Sequence, residues 1–321
     1  MLRGLGLGLL AWLLWRADWG GIVARLSGTA PEVWLYSPLM TIALFLLRAW
    51  RWWSLAVVGN QGAMGLGRAW AIYATGFFLG AITPGRLGDM AKAVYGHREG
   101  GLPLARTVAG TLVDRLFDAG LLALMAGWAL WHLGLGRGWY AQASSPWIYG
   151  LPLAALGGIG FLGWTPVRSA VARPFRKSRW GRFALGVGEE IQGLAGRRCL
   201  AASGLTLAAY AVYFSHTFLL SRSLGMALSY ADMVAITVLI GLAAFLPISV
   251  AGLGTREGVL VVAMGALGVA NSLEVALAYA ALFFLACYVF PALLGLGCWW
   301  ARPLSLADVR SQSNKVQFTD G

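Results

Sequence analysis

Apolar runs separated by short basic loops set the architecture before any single residue is considered. Continuous apolar stretches fall at 31–50, 107–131, 147–164, 199–221 and 275–300. Each approaches the roughly 20 residues that cross about 30 Å of hydrocarbon. A shorter run covers 4–19, and two more, 69–95 and 231–270, are apolar but interrupted by Pro, Gly and charge. The pattern predicts an all-α, polytopic membrane bundle of about seven to nine helical segments, some of them broken or re-entrant. It predicts one integral membrane domain over 1–302 and a polar cytoplasmic tail over 303–321. No small-x-small cleavage site follows the first run, which therefore reads as a short transmembrane helix in preference to a signal peptide.

Composition sharpens this picture. Hydrophobic residues make up 59% of the chain and charged residues 12%, with a mean hydropathy of +0.69. A soluble domain carries about 25% charge, so a soluble class is excluded. Trp and Tyr, 16 and 10 in number, suit the headgroup level of a bilayer. Cys199, Cys287 and Cys298 lie in or beside apolar stretches without metal or redox spacing, and read as packing residues.

The net charge of +12 does not point to nucleic acid, because it is concentrated in loops where the positive-inside rule expects it. Placing the N-terminus inside gives inner loops at 48–68, 92–106 and 165–198, rich in Arg and Lys, with Arg48 and Arg51 in the first. Outer loops keep only Arg16, Arg25, Arg137 and Arg222. The expectation is a multi-pass protein of the cell (inner) membrane with both termini cytoplasmic. Both ends of 69–95 carry the inner-side signature, so this segment should enter and return. Such a hairpin is tolerated only where its loosened backbone is buried in protein or lines a wet cavity. Whether 231–270 crosses or also returns stays open.

Three constellations could carry function. In Thr83-Pro84-Gly85-Arg86-Leu87-Gly88-Asp89, Pro84, Gly85 and Gly88 break the helix. A helix restarting beside Arg86 would suit a phosphate or carboxylate; an interfacial loop with a snorkelling Arg is the plainer alternative. Leu246 to Glu257 repeats the grammar, with Pro247, Gly252 and Gly254 as breaks before Arg256 and Glu257. Paired broken segments are a pointer to a transporter's central site. Arg256 and Glu257, being adjacent, do not share a helical face and are expected to have different partners. Asp114 and Asp118 lie on one face of a span with Arg115 beside it, where they could serve a substrate or pair with Arg86 or Arg256. An Asp-x-x-x-Asp pair can hold Mg²⁺, but no second acidic cluster accompanies it. No metal or other cofactor is expected. His132 and His216 read as interfacial or core residues, and Gly76-x-x-x-Gly80 as a close-packing surface.

Pro84-Gly85-Arg86-Leu87-Gly88-Asp89, Val113-Asp114-Arg115-Leu116-Phe117-Asp118 and Gly252-Leu253-Gly254-Thr255-Arg256-Glu257-Gly258 occur in this order. Together with Arg48-Ala49-Trp50-Arg51-Trp52, they make the chain resemble the transmembrane, flippase-type region of lysylphosphatidylglycerol synthases. The resemblance spans nearly the whole chain. It implies a bundle of broken helices around a lipid-sized cavity, and translocation of an anionic phospholipid, an aminoacylated phospholipid or a polyprenyl-linked glycolipid. By motif position it implies substrate-binding roles for Arg86, Asp89, Asp114, Arg115, Asp118, Arg256 and Glu257. The synthases' soluble aminoacyl-transferring domain has no counterpart after the last span, so synthase activity is not expected.

The resulting expectation is a lipid translocator and not an enzyme, without catalytic residues. Arg86 and Arg256 would hold a phosphate, the carboxylates would balance them, and Lys92 would sit at the inner interface. Membrane lipids are the expected partners, with a separate lipid- or sugar-transferring enzyme compatible and nucleic acid not. The alternatives are an accessory protein of a lipid- or glycolipid-modifying enzyme, an isoprenoid-phosphate transferase, and an ion-coupled solute transporter.

Overall fold

The computed structural model describes residues 2–57, 64–83, 88–135, 179–194, 196–245 and 253–301. The regular elements among them are helical. Helices α1 (Leu2–Arg16) and α2 (Trp19–Ser27) precede α3 (Val33–Ala56). Next come α4 (Leu66–Ile82), α5 (Ala91–Gly100) and the 29-residue α6 (Leu104–His132). Helix α7 (Arg179–Gly193) leads to α8 (Arg197–Ser223), α9 (Tyr230–Phe245) and α10 (Thr255–Ala266). The last helix, Ser272–Ala301, consists of α11 (Ser272–Phe284), a π turn (Leu285–Val289) and α12 (Phe290–Ala301).

Val33–Ala56 and Ser272–Ala301 are long and apolar enough to cross a membrane. Helices α6 and α8 match them in length but carry more charge. Large apolar side chains face outward on several helices, among them Trp15, Leu35, Leu200 and Trp300. Such surface is unstable in water and is covered at no cost by lipid. The main core lies where α6, α8, α9, α10 and α11 meet, around Tyr210, Phe214, Met233, Ile236, Leu260 and Tyr279.

Side-chain contacts fix how the helices run. Tyr36 donates to the Leu219 carbonyl at 3.0 Å, and Arg51 reaches Thr206, so α3 and α8 are antiparallel. His132 meets Asp232 at 2.8 Å, which joins the end of α6 to the start of α9. At the other end of the bundle, Arg106 donates to the Ala56 carbonyl at 3.1 Å and Trp53 to the Met64 carbonyl at 2.8 Å. Arg68, Arg98, Arg106, Arg197 and Arg198 belong to this basic end.

Two helix pairs are shorter than a span. Helices α4 and α5, of 17 and 10 residues, start and finish at the basic end, and pack on each other. Helices α9 and α10, of 16 and 12 residues, start and finish at the opposite end. The described residues that follow their breaks lie deep in the bundle. After the first, Asp89 meets Arg115, which is about 16 Å along α6 from its start. After the second, Arg256 meets Phe283, Phe284 and Tyr288, near the middle of the last helix.

Three sequence expectations need correction. The second span does not end at residue 50. It continues to Ala56, so Arg48 and Arg51 lie within helix α3 and not in an inner loop. Lys92 is buried and ion-paired, away from the interface. The basic stretch 165–198 is not all loop: Arg179–Gly193 is a helix that packs on α6, with Ile191 and the following Leu194 toward Leu55 and Val113. The expected span 147–164 and the tail after 302 lie outside the described residues.

Candidate functional site

The site grows from a close crossing of α3 and α6. A Cβ on Gly110 would stand 2.6 Å from the Ala56 Cβ, so only glycine permits this approach. Trp52 Nε1 donates to Thr111 Oγ1 at 3.0 Å and fixes the register. One turn further, Arg51 Nε donates to Asp114 Oδ1 at 2.7 Å. Its Nη1 lies 2.9 Å from Asp118 Oδ1 and donates to Thr206 Oγ1 at 2.9 Å. Lys92 Nζ donates to the other oxygen of Asp114 at 2.6 Å and lies 4.6 Å from the Tyr73 ring centroid. Arg51, Lys92 and Asp114 are all at most 2% exposed. Charges so deep are tolerated only when paired and hydrogen-bonded.

Helix α5 reaches this network because α4 offers it a glycine face. Cβ atoms on Gly76 and Gly80 would meet Lys92 Cβ at 3.3 Å and Asp89 Oδ1 at 2.5 Å. One on Gly88 would fall 2.1 Å from the Leu79 carbonyl oxygen. Thr83 pins the break: its hydroxyl donates to the Leu79 carbonyl and accepts from the Gly88 N–H, both at 2.7 Å. Asp89 is thereby presented to Arg115 of α6, with which it forms an ion pair.

Between the two short helix pairs lies a cavity of about 330 Å³. Its apolar wall comes from Leu44, Phe45, Phe77, Leu122, Ile240 and Pro291. Its polar groups include Arg48, Asp89, Arg115, Asp118, Tyr210, Tyr213 and His216. The Arg48 guanidinium carbon stands 5.5 and 5.9 Å from the ring centroids of Tyr210 and Tyr213. His216 Nε2 is 2.9 Å from Ser37 Oγ, and Cys287 Sγ is 3.8 Å from His216 Nδ1. Such a space, mostly apolar with a few convergent polar groups, has the size and lining of a ligand site.

The second break stands behind the cavity. Gly254 has φ +86°, a left-handed conformation that favours glycine. Its N–H donates to Glu257 Oε2 at 2.6 Å, capping α10. Arg256 Nε donates to Glu257 Oε1 at 3.0 Å, and the guanidinium lies against Phe283, Phe284 and Tyr288. The neighbours thus pair with each other, contrary to the expectation of separate partners. Both occupy the first turn of the helix, where the Arg side chain folds back and adjacency does not separate them. Neither is among the cavity-lining residues.

Tyr288 lines the cavity from within the π turn. Pro291 has no N–H for the Cys287 carbonyl, and its ring crowds that carbonyl. The helix widens there, with the Phe290 N–H bonded to the Leu285 carbonyl. Thr41 donates to the Ala286 carbonyl at 3.4 Å.

Asp89, Asp114, Arg115 and Asp118 are thus gathered into one region. Arg86, with Pro84, Gly85, Pro247 and Gly252, lies outside the described residues. The carboxylates of Asp114 and Asp118 face Arg51 and Lys92, not Arg256. Sequence reasoning missed Arg48, Arg51, Tyr210 and Tyr213 as site residues. The available signal was the helical spacing of Arg48 and Arg51 with Asp114 and Asp118 on another span.

The family model described as "Lysylphosphatidylglycerol synthase TM region" matches residues 4–295, which includes every residue of the charge network and the cavity. No curated protein matches the chain.

Proposed function

The chain belongs to the lysylphosphatidylglycerol synthase transmembrane-region family, a membrane family tied to lipids, and we propose from this premise that it translocates a lipid headgroup across the bilayer. The observation that carries the reading is the deep cavity, walled by paired charges and bounded by two broken helix pairs from opposite ends. Its volume suits a polar headgroup and not acyl chains, which would remain in the hydrocarbon around the bundle. Paired charges there offer a headgroup polar partners at a depth where bare lipid offers none.

In this reading the α4–α5 and α9–α10 pairs are re-entrant hairpins dipping from opposite faces. Their breaks flank the cavity, an arrangement suited to opening one side at a time. The protein supplies positioning and electrostatics, and no bond is made or broken. An anionic phospholipid, an aminoacylated phospholipid and a polyprenyl-linked glycolipid are the candidate cargoes.

The test is reconstitution into vesicles carrying a tail-labelled phosphatidylglycerol or a labelled polyprenyl-phosphate lipid. A membrane-impermeant quencher then reports inner-leaflet lipid as it arrives outside. Wild type is expected to expose one of these lipids faster than protein-free vesicles, and Arg115→Gln to slow that exposure while remaining folded. Equal rates with and without protein for both lipids would sink the proposal.

A further inference from the structure

Most of the charges beside the cavity are held in close ion pairs. Asp114 is taken by Arg51 and Lys92, Asp118 by Arg51, and Asp89 by Arg115. Arg48 is a further cation lining the same space. Its Nε is closed off from solvent and has no hydrogen-bond partner among the described residues. Arg51, one turn on, holds Asp118 in a close ion pair, and Asp118 attracts Arg48 as well. Against Arg48 itself stand the faces of Tyr210 and Tyr213. Cation–π contact offsets part of the desolvation of a guanidinium but supplies no acceptor to the Nε–H.

We propose that Arg48, framed by Tyr210 and Tyr213, is the binding site for one phosphodiester monoanion, the phosphate of the translocated headgroup. This rests on the lipid-translocation reading for its source of ligand. The guanidinium fork matches two phosphate oxygens at once. A phosphodiester carries one negative charge and offers two free oxygens to that fork. A phosphomonoester approaches two negative charges at neutral pH, and the second would face Asp118 and Asp89 across the cavity. The site should therefore select phosphatidylglycerol over both phosphatidic acid and uncharged diacylglycerol.

Binding to purified protein in uncharged detergent tests this without requiring transport. Short-chain phosphatidylglycerol, phosphatidic acid, diacylglycerol and inorganic phosphate are the probes. Phosphatidylglycerol should bind about tenfold or more tightly than diacylglycerol, the worth of one charge-assisted hydrogen bond pair. Arg48→Gln should erase that preference. Arg48→Lys should recover part of it, since the ammonium keeps the charge and loses the fork. Arg222→Gln, an exposed basic position outside the cavity, should leave it intact. If Arg48→Gln does not fold, Arg48→Lys decides: reduced selectivity supports the site, and full selectivity overturns it. Unchanged selectivity in Arg48→Gln, stronger binding of phosphatidic acid, or equal competition by free phosphate would each overturn the assignment. Transport that persists in a folded Arg48→Gln variant would remove this proposal and leave translocation standing. Selective binding without transport would do the reverse.

Discussion

Arg51 and Asp114, 63 positions apart in the chain, meet at 2.7 Å with both side chains closed off from solvent. Asp114 also receives Lys92, so one carboxylate fastens α3, α5 and α6 together. Asp114→Asn would strip Lys92 of its carboxylate and leave Arg51 with Asp118 alone, whereas Lys92→Met would leave Asp114 still paired with Arg51. Breaking a buried pair by removing one partner costs about 3–5 kcal/mol. Thermal unfolding in detergent should show a much larger loss for Asp114→Asn than for Lys92→Met. The reverse order would mean that Asp114 is not the hub.

Two glycines in the same hairpin should respond with opposite signs. A Cβ on Gly88 would collide with the backbone of Leu79 and Gly80, at 2.1 and 2.6 Å, and backbone cannot step aside as a side chain can. Gly88→Ala is expected to cost about 1–3 kcal/mol or more. A Cβ on Gly67 meets nothing within 4 Å, and Gly67→Ala should stabilise helix α4 by about 0.5–1 kcal/mol. Paired melting curves of the two variants check both signs at once.

Glu257 carries two duties that can be separated. Glu257→Gln keeps an oxygen able to accept from the Gly254 N–H but discards the charge facing Arg256. Glu257→Ala loses both. Stability should fall from wild type to Gln and again to Ala, with the second step about 1 kcal/mol, the worth of a helix cap. Arg256→Ala should act through folding, since the side chain lies outside the cavity lining. A folded Arg256→Ala protein that selectively loses lipid transport would contradict this.

The opposed hairpins make a topological prediction. In a background with Cys199, Cys287 and Cys298 replaced, single cysteines at Gly67 and Arg98 should react with an impermeant thiol reagent from one face of the membrane. Cysteines at Tyr230 and Ala270 should react from the other. Labelling of Gly67 and Arg98 from different faces would mean that α4 and α5 together cross the bilayer.

Much of the helical layout was legible in the sequence, because hydropathy and basic loops report which segments face lipid and where they end. That α4 ends at Ile82 agrees with the proline and glycines that follow it in the sequence. The pairing of the charges was not. Hydropathy scores Arg48 and Arg51 as costly wherever they stand, so it closed the second span before them. In the fold, Asp114 and Asp118 repay that cost for Arg51, and the helix continues to Ala56. Pairing is a property of two spans seen together, and no window on one span contains it. Tyr210 and Tyr213 were invisible on similar grounds: on an apolar helix they read as packing until Arg48 is seen against their faces.

The five residues Leu285–Val289 have a further consequence for the last helix. A π turn contains one residue more than an α turn, and each residue of an α-helix advances the phase by about 100°. The bulge therefore offsets the facing of α12 from that of α11. Helix α11 packs on α2 and α10, while α12 packs on α4, its Gly295 against Ala74 and Phe78. A single continuous helix thus addresses the two opposed hairpins with differently phased surfaces. Deleting one residue from this turn would leave the composition and hydropathy of the span almost untouched. It would nonetheless swing Gly295 off Ala74, so the length of this span is set by phase as much as by bilayer thickness.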